Sequence, residues 1–200
     1  SVAVVGPLLP WAVGRVVKLA RPAWGASRGA ACNARKVSAG MARRFIAGSN
    51  VEEVLRSVGK LRKLGFAFTL DLLGEAVVSE REAVAYQQSY VDLIDGLCPQ
   101  INDWPEAAQI DCDEQGPIPR VNVSIKLSAL FSQFQPIDPA GTAEGVKERL
   151  RSLLRSARAR DAFVNVDMEH YAYKDLTLEI FKQVFMEDEF RDFPDCGIVI

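Results

Sequence analysis

The sequence predicts an α/β fold: the N-terminal half, about four β/α units, of a TIM-type barrel preceded by a helical arm. Three observations lead there. From residue 66 onward, short strand-like runs alternate with helical runs, which calls for parallel strands joined by helical crossovers. Each strand-like run has one apolar and one polar face, unlike the continuous apolar run of a strand buried on both sides. Charged residues stand at or just beyond the carboxyl ends of these runs, where β/α barrels place their chemistry.

The elements follow in order. Residues 11–64 read mainly as helix. Val51, Val54, Leu55, Val58, Leu61 and Leu64 recur at three-and-four spacing, Ser49 or Asn50 supplies an N-cap, Glu52 and Glu53 occupy the first turn, and Gly65 ends the helix. The first strand is expected over residues 66–73. A helix should open near Ser79, with Glu82 completing a capping box. Residues 97–119, rich in acids and prolines, read as an irregular surface insertion. A second strand is expected over residues 121–127 with its helix at 142–159, and a third over 163–168 with its helix at 176–187. A fourth strand begins at Gly197.

Composition sets outer bounds. The 200 residues are 48% hydrophobic and 25% charged, ordinary for a soluble globular chain. Cys32, Cys98, Cys112 and Cys196 form no CxxC pair, and His170 is the single histidine, so no zinc site is expected and a reduced, cytoplasmic compartment fits. The apolar start is broken by Gly6, Pro7 and Pro10 and falls short of the roughly 20 residues of a bilayer span. Neither a membrane helix nor a secretory signal is predicted, and the chain is expected to be an excised segment. Residues 1–64 carry 12 Lys/Arg against two acids, and residues 65–200 carry 12 against 24. The expected partner of this basic arm is the acidic domain of the same polypeptide rather than nucleic acid.

The polar faces carry the functional reading. In residues 121–127, Val121, Val123, Ile125 and Leu127 oppose Asn122, Ser124 and Lys126; in residues 163–168, Val164, Val166 and Met168 oppose Asn165 and Asp167; in residues 66–73, Phe66, Phe68, Leu70 and Leu72 oppose Thr69 and Asp71. A lumen opening on a ligand accommodates such faces. Asp71, Glu75, Lys126 and Asp167 all fall at or just past strand ends. Lys126 comes from the strand between the two bearing aspartates, and a cation flanked by carboxylates keeps its charge in a partly dry cavity. The bland alternative is an ion network that only holds the barrel together, and Asp71 suits that role as well as chemistry.

At these segments the sequence resembles the proline dehydrogenase domain of proline utilisation A. The matching stretches are FTLDLLGEA (68–76), VSIKLSAL (123–130), NVDMEH (165–170) and the terminal GIVI, and the likeness covers about residues 41–200. The resemblance implies a distorted eight-stranded barrel that binds FAD and oxidises L-proline to Δ1-pyrroline-5-carboxylate by hydride transfer to the flavin. It implies that Lys126 lies beside substrate and flavin, and that Asp167 is an active-site aspartate. Met168 would touch the cofactor through its backbone, and Glu75 would pair with a substrate-binding arginine later in the chain. It also implies a quinone or membrane electron acceptor, a location peripheral to the inner membrane, a homo-oligomer, and NAD in a downstream domain. Because the family's other flavin and carboxylate contacts lie beyond Ile200, these residues alone are expected to be inactive and to need the remainder of the barrel. The alternatives are another flavin barrel, such as methylenetetrahydrofolate reductase, or a non-catalytic scaffold half-barrel.

Overall fold

The computed structural model describes residues 2–4, 46–74, 76–168 and 170–199. Most of the basic arm, Cys32 and Glu75 therefore lie outside the described residues. The described elements are β1 (Val2–Val4), β2 (Ile46–Gly48), α1 (Val51–Lys63), β3 (Leu70–Leu72), α2 (Glu80–Asn102), α3 (Ala108–Asp111), β4 (Cys112–Asp113), β5 (Gly116–Pro117), β6 (Val121–Lys126), α4 (Pro139–Arg160), β7 (Ala162–Asp167), α5 (Lys174–Phe185) and β8 (Cys196–Ile198).

The main sheet runs β2-β1-β3-β6-β7-β8. Its β3, β6, β7 and β8 are parallel neighbours in chain order. Strands that follow one another around the sheet without reversing direction of winding, joined by helices, make the first half of a β/α barrel rather than a doubly wound sheet, whose order switches. Leu70, Val123, Ile125, Val164 and Val166 are fully or almost fully buried, beneath Ile94 and Leu97 of α2, Leu150 and Leu154 of α4, and Ile180 and Val184 of α5.

Local chemistry sets the helix ends. Asn50 caps α1 by accepting from the Glu53 N–H at 3.0 Å. Ser79 and Glu82 form the expected reciprocal capping box on α2. Asp138 accepts from the Gly141 N–H ahead of α4, whose first residue is Pro139.

Four departures have physical reasons. Val2–Val4 and Ile46–Gly48 are strands where the reading favoured a helical arm; β1 pairs antiparallel with both β2 and β3, so sheet pairing prevails there over local propensity. The first strand is confined to Leu70–Leu72 because its pairing with β6 begins only at Leu70↔Val123. Before that, Gly65 takes φ +77° and the Phe66 N–H turns back to the Leu61 carbonyl, leaving Phe66 57% exposed. Finally, α2 continues through Pro99 to Asn102, since Leu97, Cys98 and Ile101 are buried in the core and tertiary packing overrides the proline penalty. The insertion that follows is ordered by α3 and the small β4–β5 hairpin.

Candidate active site

Register brings the predicted charges together. Asp71 sits opposite Ser124, and Lys126, two residues further along the same face of β6, sits opposite Asp167. The Lys126 Nζ donates to Asp71 Oδ2 at 2.6 Å and stands 3.7 Å from Asp167 Oδ2. The lysine side chain is 3% exposed, Asp71 16% and Asp167 28%. One ammonium thus lies between two carboxylates, one in direct contact and the other partly open. Burial of the cation beside an anion offsets the cost of removing it from water.

Asp71 and Asp167 line a cavity of about 930 Å³ together with Thr69, Asn122, Ser124 and Asn165. These are the polar faces of β3, β6 and β7, which share one hollow as their alternation requires. Met168 follows Asp167 at the strand end and is partly buried. Glu75 lies outside the described residues.

Three groups were not singled out from the sequence. Tyr90 of α2 is buried, and its hydroxyl reaches Asp71 Oδ1 at 3.3 Å. At the amino ends of the strands, Asp111 is buried and receives both Nη1 and Nη2 of Arg62 at 2.6 Å, with Arg120 Nε at 3.4 Å. The Arg62 contact, foremost, holds the Asp111 carboxyl below its usual range. At the carboxyl ends, Glu80 accepts from the N–H and hydroxyl of Ser132 and pairs with Arg149, which also donates to the Leu130 carbonyl at 2.6 Å. Those bonds, the Ser132 hydroxyl first, bring the Glu80 carboxyl down to about 2. The one signal available in sequence was the spacing of Tyr86 and Tyr90, which shares a helix face with the buried Leu93, Ile94 and Leu97 and reads as ordinary core.

Among the described residues no cluster of His, Cys, Asp and Glu could hold a metal ion, and no helix is long and apolar enough to cross a membrane. Cys98 is buried, and desolvation pushes its thiol up to about 12, which leaves it unreactive near neutrality.

Comparison with known proteins agrees with this architecture. The chain is 29% identical over 160 residues to the bifunctional protein PutA of Klebsiella aerogenes, covering 80% of this chain and 11% of that protein. It is 30% identical over 154 residues to the proline dehydrogenase of Deinococcus radiodurans, covering 77% of this chain and 43% of that protein. The chain therefore spans less than half the length of these relatives. Among solved structures, proline utilization A from Bdellovibrio bacteriovorus, inactivated by N-propargylglycine, superposes with a TM-score of 0.82 at 41% identity; the match covers 85% of this chain and 18% of that one. The protein from Corynebacterium freiburgense gives 0.57 at 29% identity, covering 74% and 13%. The family pattern of proline dehydrogenase matches residues 54–200, a span holding Asp71, Lys126 and Asp167, and the chain belongs to the proline dehydrogenase family.

Proposed function

We propose that this chain supplies one wall of a flavin-dependent site that oxidises L-proline to Δ1-pyrroline-5-carboxylate. The observation that carries the reading is Lys126, buried between Asp71 and Asp167, the two carboxylates that line the cavity. Proline presents a carboxylate and a secondary amine on a small ring. A fixed cation suits the first, and a partly open carboxylate acceptor suits the second.

The division of labour follows from the geometry. Asp71, in direct contact, pairs with Lys126 and aims it. Lys126 sets a positive field at the carboxyl end of β6, which orients the substrate carboxylate. Asp167, more exposed and further from the ammonium, orients the amine and tunes the local charge, without serving as an obligatory base. Apolar layers behind the sheet keep the dielectric low, so these contacts count for more than they would in water.

The hydrogen-bonding wall formed by Asn122, Ser124, Asn165 and Asp167 fits a heteroaromatic cofactor with polar edges. FAD, when bound, supplies the hydride acceptor. Asp167 and the Met168 backbone would touch it, and Glu75 would steady a substrate-binding arginine.

The test is Lys126→Ala in the full-length protein, assayed with proline and with a reduced folate. The expected result is proline oxidation in the parent and a loss of about a hundredfold or more in kcat/KM in the variant, with circular dichroism unchanged. Undiminished turnover would leave Lys126 as a structural cation, and activity on the folate alone would replace the substrate assignment. N-Propargylglycine, itself a secondary amine bearing a carboxylate, should inactivate the parent.

A further inference from the structure

Tyr90 lies on the helix side of the sheet, yet its hydroxyl reaches between β3 and β6 at the level of Asp71. It accepts from the Leu72 N–H at 3.1 Å and donates toward the Ser124 carbonyl. It also stands 3.3 Å from Asp71 Oδ1 and 3.3 Å from the Tyr86 hydroxyl, whose ring packs edge-on to its own. The other carboxylate oxygen, Asp71 Oδ2, holds Lys126. The two oxygens of Asp71 are thus engaged separately, one by a hydroxyl fixed in the core and the other by the buried Lys126 ammonium.

We propose that Tyr90 is a positioning residue for the Asp71–Lys126 pair: its hydroxyl fixes the rotation of the Asp71 carboxylate, and through it the place of the ammonium that meets the substrate. The inference rests on the proline-oxidation reading above. A phenylalanine would fill the same volume, so what the hydroxyl adds is its hydrogen bonds to the two strands and the orientation of Asp71. Its proton goes first to the Ser124 carbonyl, with Asp71 Oδ1 the longer second acceptor at 3.3 Å, so both the strand rung and the carboxylate are referred to one rigid point. Burial, foremost, pushes the Tyr90 hydroxyl well above its ordinary range, so it remains a donor and never meets Asp71 as a second anion. A supporting layer that locks a functional side chain in this way governs rate through placement, where an error near 1 Å costs up to about a hundredfold.

The experiment is Tyr90→Phe in the full-length holoprotein, alone and combined with Asp71→Asn. For Tyr90→Phe the expected outcome is a folded protein whose thermal midpoint falls by a few degrees, because the Leu72 N–H and Ser124 carbonyl lose the hydroxyl, and a roughly tenfold fall in kcat/KM. Most of the fall should lie in KM. Calorimetry with cyclopentanecarboxylate, a proline analogue without the amine, should show a matching loss of affinity that needs no turnover. In the Asp71→Asn background the same substitution should add almost nothing, because the route through Asp71 is already broken; full additivity would overturn the proposal. If Tyr90→Phe unfolds, fluorotyrosine at position 90 keeps the shape and strengthens the donor, and unaltered proline kinetics would then overturn it. A parent that fails to oxidise proline defeats the functional reading instead, whereas an active parent with an unaffected Tyr90→Phe defeats only this one.

Discussion

The two ends of the strands hold ion clusters of opposite construction. At the amino ends, one buried carboxylate, Asp111, sits between two arginines, with a bidentate bond to Arg62 and a further bond from the Ala107 N–H at 2.8 Å. At the carboxyl ends, one buried ammonium, Lys126, sits between two carboxylates, with one contact at 2.6 Å and the other at 3.7 Å. The first cluster is saturated. Arg120 also caps the end of α2, donating to the Asn102 carbonyl at 3.3 Å and to the Trp104 carbonyl just beyond at 2.7 Å, and Arg62 lies over the Trp104 ring. Both clusters border one cavity, which Arg62 and Arg120 help to line, but only the second leaves a carboxylate, Asp167, 28% exposed to it. A saturated network fixes structure, whereas an unsaturated one beside a hollow is ready for a ligand.

The sharpest way to break this contrast is Asp111→Ala. It leaves Arg62 and Arg120 buried without their anion, and the expected destabilisation is about 3–5 kcal/mol, read as a lower midpoint of denaturant unfolding. The folded fraction should retain its KM for proline; a raised KM would blur the division between the two ends. The mirror test is Lys126→Met, which keeps bulk and removes charge. It should cost about 10²–10³-fold in kcat/KM while moving the unfolding midpoint far less than Asp111→Ala does. Arg120→Ala comes next, at about 1–2 kcal/mol, since its carboxylate contact is the longer one and the main loss is the cap on α2.

The smallest effect concerns Glu80. Its folded-state carboxyl stands at about 2 against 4.5 for the unbound group. A depressed value means that its stabilisation is complete above about pH 4.5 and disappears as the pH falls toward 2. Glu80 is 48% exposed, so solvent screening keeps the effect below about 1 kcal/mol. Unfolding midpoints measured across that window should drop less for Glu80→Gln than for the parent; parallel curves would show the Ser132 and Arg149 bonds to be inconsequential.

Much of the fold was readable because its cues are local. The Ser79–Glu82 box, the apolar rows of α4 and α5, and the alternation in residues 121–127 and 163–168 each arise within a few residues of sequence. Errors came where partners distant in the chain decide: among the described residues Phe66 has no partner strand beside it, and α2 survives Pro99 because core contacts hold Ile101. In the candidate site, Asp71, Lys126 and Asp167 were legible as polar residues on one face, whereas Tyr90 was not, since a tyrosine at helical spacing among leucines looks like packing.

The sequence by itself determined that three strands turn aspartate, lysine and aspartate toward a common hollow, because side chains alternate every second residue once a strand forms. Only the tertiary structure decided that Lys126 leans on Asp71, 55 residues away, and stands off from Asp167, its register partner. That choice depends on how β3 meets β6, a distance set by packing between elements and carried by no local pattern.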